Sequence, residues 1–314
     1  MFDFIGNRKY FYAFSALILV AGIIGLIVNQ GLNLDIQFQG GTIVEFQMKD
    51  ENFDVSKAEA VAEEATGKIV SAQSSYSLDS EKNERIDMLV LSVSSSNALS
   101  EEEHEKLSKA IQENFEIQEN TVANTRHVDP VMGKELALKS LFSIALASVF
   151  MILYVWIRFK VMGGLVAGVA AVVALLHDVM VMITLYAITG LPVNDSFIAA
   201  ILTIVGYSIN DTIVIFDRIR ENSALLRKES LASITNKSIV QTLSRTINTS
   251  VTTITCILTV YIFASYNNIE SIKNFMLPLL AGLLSGTYST IFIANPVYVM
   301  LKERQAKKQA TAKA

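Results

Sequence analysis

Six stretches of this chain are long, apolar and almost free of charge, and a long polar segment separates the first from the second. Tyr10–Val28 carries no charged residue, and neither do Thr246–Ala264 and Phe275–Leu301. Leu136–Trp156 has only Lys139, near one end, where its stem can lie along apolar surface while its head reaches water. Val161–Ile188 holds His177 and Asp178, and Ser196–Phe216 holds Asp211. About 20 apolar residues are needed to cross about 30 Å of hydrocarbon as a helix. All six qualify, and only helices satisfy their own backbone groups in lipid without closing into a barrel. The pattern therefore predicts a six-helix membrane bundle, with one domain outside the membrane between the first two spans.

Composition agrees: 51% of the residues are hydrophobic and 18% charged, against about 25% charged in soluble domains. Basic residues cluster in alternate loops, and loops rich in Lys and Arg stay in the cytoplasm. Arg8 and Lys9 precede the first span, and Arg158 and Lys160 follow the second. Arg218, Arg220, Arg227, Lys228, Lys237 and Arg245 lie between the fourth and fifth, and a basic tail from 302 to 314 follows the sixth. Both termini are thus expected inside and residues 31–135 outside. The first span lacks a small-residue cleavage site after its apolar run, so an uncleaved anchor is expected. The stretch 217–244 has an amphipathic pattern and is expected to lie along the inner surface or to touch a partner. The lone Cys256 leaves no intrachain disulfide and no cysteine-based metal site.

Residues 31–135 contain 21 acidic and 9 basic residues, a balance that excludes a nucleic-acid face. Thr42–Gln47 alternates like a strand, Asp54–Thr66 reads as a helix closed by Gly67, and Ile69–Tyr76 and Ile86–Val93 read as strands around a polar turn. Ser100 and Glu103 form a capping box for a helix reaching about Asn114, and a last strand falls between Ile117 and Val128. The order βαββαβ is that of a ferredoxin-like α+β domain. His104, among glutamates, belongs to a solvated helix face.

Candidate chemistry lies inside the spans, where a charge costs about 2.5–3.5 kcal/mol on insertion scales. Asp211 sits about 9 Å from the cytoplasmic end of the fourth span, in the polar run Tyr207, Ser208, Asn210, Asp211, Thr212. Arg245, Thr246 and Asn248 open a matching polar stripe on the fifth. A buried Asp211–Arg245 pair is expected between the two helices. Burial and a nearby Arg act on a carboxylate in opposite senses, which suits a proton relay; a purely structural ion pair would leave the same pattern. His177 and Asp178, near the middle of the third span, are secondary candidates. Gly164-x-x-x-Gly168 and Gly282-x-x-x-Gly286 are close-packing motifs. No nucleophile–base constellation, metal-ligand spacing or phosphate loop occurs, so neither an enzyme nor a cofactor is expected.

Several strings resemble the SecF family: Tyr207-Ser-Ile-Asn-Asp-Thr-Ile-Val-Ile-Phe-Asp-Arg-Ile-Arg-Glu-Asn222, Thr242-Leu-Ser-Arg-Thr-Ile-Asn-Thr-Ser250, Ala174-Leu-Leu-His-Asp-Val179, Gly286-Thr-Tyr-Ser-Thr290 and Gly40-Gly41-Thr42. The chain departs from the family pattern at Gln37 and at Asp129. The resemblance implies one six-helix half of an RND-type transporter in a bacterial cell membrane, with SecD as the obligate other half. It also implies assistance to protein export through SecYEG and SecA, driven by the proton-motive force, with YajC as a further partner and an unfolded polypeptide as the substrate. Asp211 and Arg245 would then lie on the proton path, with Asn210, Ser208, Thr246 and Asn248 around them. One half of a small-molecule or lipid exporter of the RND type is the competing reading.

Overall fold

A computed structural model describes residues 2–50, 53–78, 85–95, 98–118, 124–160, 163–267 and 269–311. Val161, the turn at 79–84, part of the segment before the last strand and the final residues of the basic tail lie outside the described residues. Six helices are long and apolar enough to cross a membrane. They are α1 (Arg8–Val28), α5 (Pro130–Arg158), α6 (Gly164–Thr189), α7 (Asp195–Leu225), α8 (Leu231–Tyr266) and a sixth span built from α9 (Glu270–Ser289), a π-helical turn (Thr290–Ala294) and α10 (Asn295–Thr311).

Local chemistry sets the ends of these helices. Gly163 and Gly190, both with positive φ, bracket α6, and the Gly190 N–H closes on Tyr186 O. Asn194 caps α7 by accepting from the Phe197 N–H, and Ser230 caps α8 by accepting from the Ser233 N–H. The π turn falls just before Asn295-Pro296. Pro296 has no N–H for the preceding turn, and beside it Asn295 Nδ2 donates to Thr290 O at 2.6 Å.

The stretch 217–244 departs from the first of its two expected placements, a helix lying along the inner surface. It forms no separate surface helix: α7 runs on to Leu225 and α8 begins at Leu231, so the two membrane helices extend into one antiparallel hairpin. No glycine or proline occurs between Gly206 and Pro278, so nothing in the chain stops either helix at the membrane surface. Asn222 Nδ2 donates to Ser238 Oγ and Gln241 Oε1, and Arg218 Nε donates to Gln241, which zips the hairpin together. Its amphipathic side is used within the chain: Asn236 donates to Asp3 Oδ1 and accepts from the Ile5 N–H.

Between α1 and α5 lie a one-turn helix α2 (Ile36–Gln39) and an α+β domain: β1 (Gly41–Met48), α3 (Val55–Thr66), β2 (Val70–Leu78), β3 (Arg85–Ser94), α4 (Glu101–Asn114) and β4 (Asn124–Val128). The sheet order is β2-β3-β1-β4, antiparallel throughout, with Val44 opposite both Leu91 and Thr125. This is the ferredoxin-like order that the pattern predicted. Alternate residues Val44, Phe46, Leu89, Leu91 and Val93 pack against Ala58, Ala62, Leu107 and Ile111 of the two helices. Gly67 closes α3 in the left-handed conformation, and the Ser100–Glu103 capping box starts α4.

Backbone contacts seat this domain on the bundle. Asp35 N–H donates to Val193 O and Val193 N–H to Asn33 O, a short parallel pairing with the α6–α7 loop. Gln37, one of the two departures, accepts from the Asp195 N–H at the start of α7. A side chain at Gly133 would place its Cβ 2.6 Å from Phe38 O, so only glycine lets α5 pass α2 this closely.

Candidate functional site

The most buried charged residue in the membrane region is Asp178 on α6, at 0% exposure. Its carboxylate is held by three hydroxyls from two other helices. Ser285 donates to Oδ1 at 2.6 Å, and Ser208 and Ser289 each donate to Oδ2 at 2.8 Å. His177 Nδ1 stands 3.4 Å from Oδ1. One side chain thus ties α6 to α7 and to the sixth span. Glycine leaves room for the approach: a Cβ on Gly286 would lie 3.2 Å from Ser208 and 3.7 Å from Asp178 Oδ2. One turn away, a Cβ on Gly282 would lie 2.5 Å from Ile204. The hydroxyl network continues through Thr212 Oγ1 and Thr290 Oγ1, 3.0 Å apart, into the π turn.

Asp211 lies one turn along α7 from Ser208. It is buried, 3% exposed, and its Oδ2 has no hydrogen-bond partner among the described residues. The expected ion pair is not formed: no Asp211–Arg245 contact comes within 4.0 Å, and Arg245 is exposed. The hairpin register explains this. Tyr207 Oη donates to Thr253 Oγ1 and Thr249 O, while Asn222 meets Ser238. Asp211 therefore lies about level with Thr249, one turn from Arg245. Arg245 stands one turn along α8 from the level of Asp211, and its guanidinium belongs to the exposed face of α8.

The other candidates divide between two environments. Ser208 is buried and belongs to the Asp178 cluster rather than to Asp211. Thr246 is buried with an unpaired hydroxyl, as Asp211 has an unpaired oxygen. Asn210 and Asn248 are exposed with Arg245, and none of these three side chains has a hydrogen bond among the described residues. Gln241, Arg245, Asn248, Thr252, Thr255 and Thr259 recur every three or four residues along the exposed side of α8. Thr203, Gly206 and Asn210 do the same on α7. This polar stripe lies on a face that would meet hydrocarbon.

The sequence placed Asp178 second, yet the structure makes it the best-connected polar group in the bundle. Its partners Ser285 and Ser289 were missed as ligands, although their four-residue spacing around Gly286 put both hydroxyls on one helix face.

The family described as protein export membrane protein SecD/SecF, C-terminal, matches residues 106–304. A SecF protein translocase subunit of Thermobaculum terrenum is 36% identical over 95% of this chain and 93% of its own length. This chain belongs to the SecD/SecF family. The SecDF translocase subunit of Bacillus subtilis is 38% identical over 98% of the chain, which spans 39% of that longer protein. A crystal structure of SecDF from Thermus, described as a translocon-associated membrane protein, superposes with a TM-score of 0.73 at 31% identity, over 96% of this chain and 39% of that one. The SecD/SecF fold accounts for the antiparallel sheet and the six spans together. The chain is a membrane protein of the protein-export class.

Proposed function

We propose that the chain is the SecF-type subunit of a Sec protein-export complex, using the proton-motive force to assist late steps of translocation through SecYEG. Its partner is SecD, seated on the α7–α8 face; SecA, YajC and the emerging unfolded polypeptide complete the machinery. Both termini and the tip of the α7–α8 hairpin, 217–244, lie in the cytoplasm of a bacterial cell, and residues 31–135 lie outside. The reading is preferred over half of a small-molecule exporter because the relatives are protein-export components.

The observation that carries it is the α7–α8 face itself. Asn210, Arg245 and Asn248 lie exposed there, with no side-chain hydrogen bond among the described residues, and behind them lies a carboxylate oxygen of Asp211 that has no partner among those residues either. Hydrogen-bonding groups facing lipid cost several kcal/mol, so this surface calls for a second subunit carrying complementary groups. A carboxylate held near an arginine, but not locked to it, can gain and lose a proton as the helices shift. One charge crossing 100 mV releases about 2.3 kcal/mol, enough to bias a two-state movement of the outer domain.

Because Asp211 is not in an ion pair, Asp211→Asn leaves no stranded charge. The variant is expected to accumulate normally and to bind SecD, yet to lose stimulation of export by a proton gradient in reconstituted vesicles. Arg245→Gln should behave alike, and the double variant should remain inactive. Gradient-driven export retained by Asp211→Asn would overturn the proton-path assignment.

A further inference from the structure

A cleft of about 640 Å³ opens between the cytoplasmic start of α6 and the outer side of α10. Its apolar wall is Leu165, Val166, Val169 and Leu301, and its rim is Arg304, Lys307 and Lys308. Leu165 and Val169 are exposed, and so are all three cations. None of the three has an ion-pair partner among the described residues. The only acid of α10, Glu303, lines clefts with other residues and is absent from this one.

Depth separates the two halves of the cleft. Leu301 ends the uncharged run of its span, and the first turns of α6 lie at the matching end of theirs. Arg304 follows Leu301 by one turn, about 5 Å, and Lys307 and Lys308 by about 10 Å. Headgroups occupy roughly 5–8 Å beyond each side of the hydrocarbon. The apolar wall therefore sits at acyl-chain depth and Arg304 at phosphate depth, while Lys307 and Lys308 start just beyond it and their long side chains reach back to it.

We infer that this cleft binds an anionic phospholipid of the inner leaflet, its acyl chains along Leu165, Val169 and Leu301 and its phosphate between Arg304, Lys307 and Lys308. A guanidinium offers a planar fork to two phosphate oxygens, and two ammonium groups add charge without demanding one geometry. A free anion would use the cations and leave the apolar wall against water. A zwitterionic lipid would use the wall, but its own ammonium would oppose three cations. Only an anionic lipid satisfies both halves. Such a lipid would fix α10 to α6 on the side away from the α7–α8 face.

The experiment uses the full chain with its partner, purified from membranes, exchanged into nanodiscs of phosphatidylcholine with or without phosphatidylglycerol, and read by native mass spectrometry after release. Phosphatidylglycerol should be retained in preference to phosphatidylcholine. Each basic residue near an anionic surface contributes roughly fivefold in binding. The variant Arg304→Gln/Lys307→Gln/Lys308→Gln should therefore lose retained phosphatidylglycerol by more than tenfold. Arg8→Gln/Lys9→Gln/Lys228→Gln, with the same change in charge on the same side of the membrane, should lose little. Leu165→Asn/Val169→Asn should also lose the lipid while keeping the cations. Equal loss in both charge variants would reduce the effect to a diffuse surface potential and overturn the site. Displacement of the lipid by millimolar inorganic phosphate, with Leu165→Asn/Val169→Asn unaffected, would overturn it in favour of a free-anion site.

Discussion

If Asp178 is a charged hub, its three serine contacts should differ measurably from ordinary hydroxyl contacts in the same bundle. Ser285→Ala removes the 2.6 Å contact to Oδ1 and leaves that oxygen only His177 Nδ1 at 3.4 Å. A hydrogen bond to a buried charged group contributes about 1.5–3 kcal/mol, and the short distance falls in the range of charge-assisted O–H···O⁻ bonds. Ser250→Ala is the matched control. Its Oγ meets Thr287 Oγ1 at 2.7 Å, joining α8 to α9 through two neutral groups. Such neutral contacts between membrane helices average about 0.6 kcal/mol. The difference between the variants should thus be about 1–2 kcal/mol, five- to thirtyfold in the folded-to-unfolded ratio. Ser289→Ala, which removes one of two donors to Oδ2, should fall near Ser285→Ala. Unfolding by dodecyl sulfate in mixed micelles, followed by helix content, gives the three values directly. A Ser285→Ala cost no larger than that of Ser250→Ala would refute the charged-hub account.

Two further predictions concern the partner face and the outer domain. Gly206 is exposed on α7, and nothing lies within 4 Å of where its Cβ would stand. Gly206→Ala should stabilise the isolated chain by about 0.5–1 kcal/mol, the cost of glycine inside a helix, while lowering the yield of SecD on co-purification; an unchanged yield would remove Gly206 from the interface. Burial pushes the Asp35 carboxyl above its ordinary value of 3.8, the Gln37 N–H opposes this, and the Asp195 charge adds to it. The folded chain therefore holds this proton more tightly than the unfolded chain. That stabilisation is complete below the ordinary value and is lost as pH rises through the higher folded value. Asp35→Asn can still accept the Gln37 N–H and should flatten this fall; an identical pH dependence of the thermal midpoint in both proteins would contradict it.

Most of the architecture was legible along the chain because its signals are local. A span is announced by some 20 consecutive residues, a capping box by four, and the alternation of Val44, Phe46 and Met48 by the strand itself. The candidate site was legible as an inventory, since every polar residue within an apolar run stands out. Its pairing was not. Asp211 and Arg245 lie 34 positions apart on two helices, and whether they touch depends on hairpin register and helix rotation. These are set by Tyr207–Thr253 and Asn222–Ser238, contacts with no mark in either segment alone. The same holds for the hairpin between them, whose charged pattern fitted a surface helix as well as it fits two helices extended past the membrane.

Sequence alone determined the six spans, their basic loops, the βαββαβ order and the family to which the strings belong, because each depends on neighbours along the chain. Tertiary structure decided which carboxylate became the hub. Three helices had to converge before Ser208, Ser285 and Ser289 could meet Asp178, and the missing side chain of Gly286 leaves room for their approach. Tertiary structure also left Asp211 with an unpaired oxygen and turned Arg245 outward. The physical reason is that a buried charge is stabilised by donors that surround it in space, and such donors come from wherever the packing of the helices brings them.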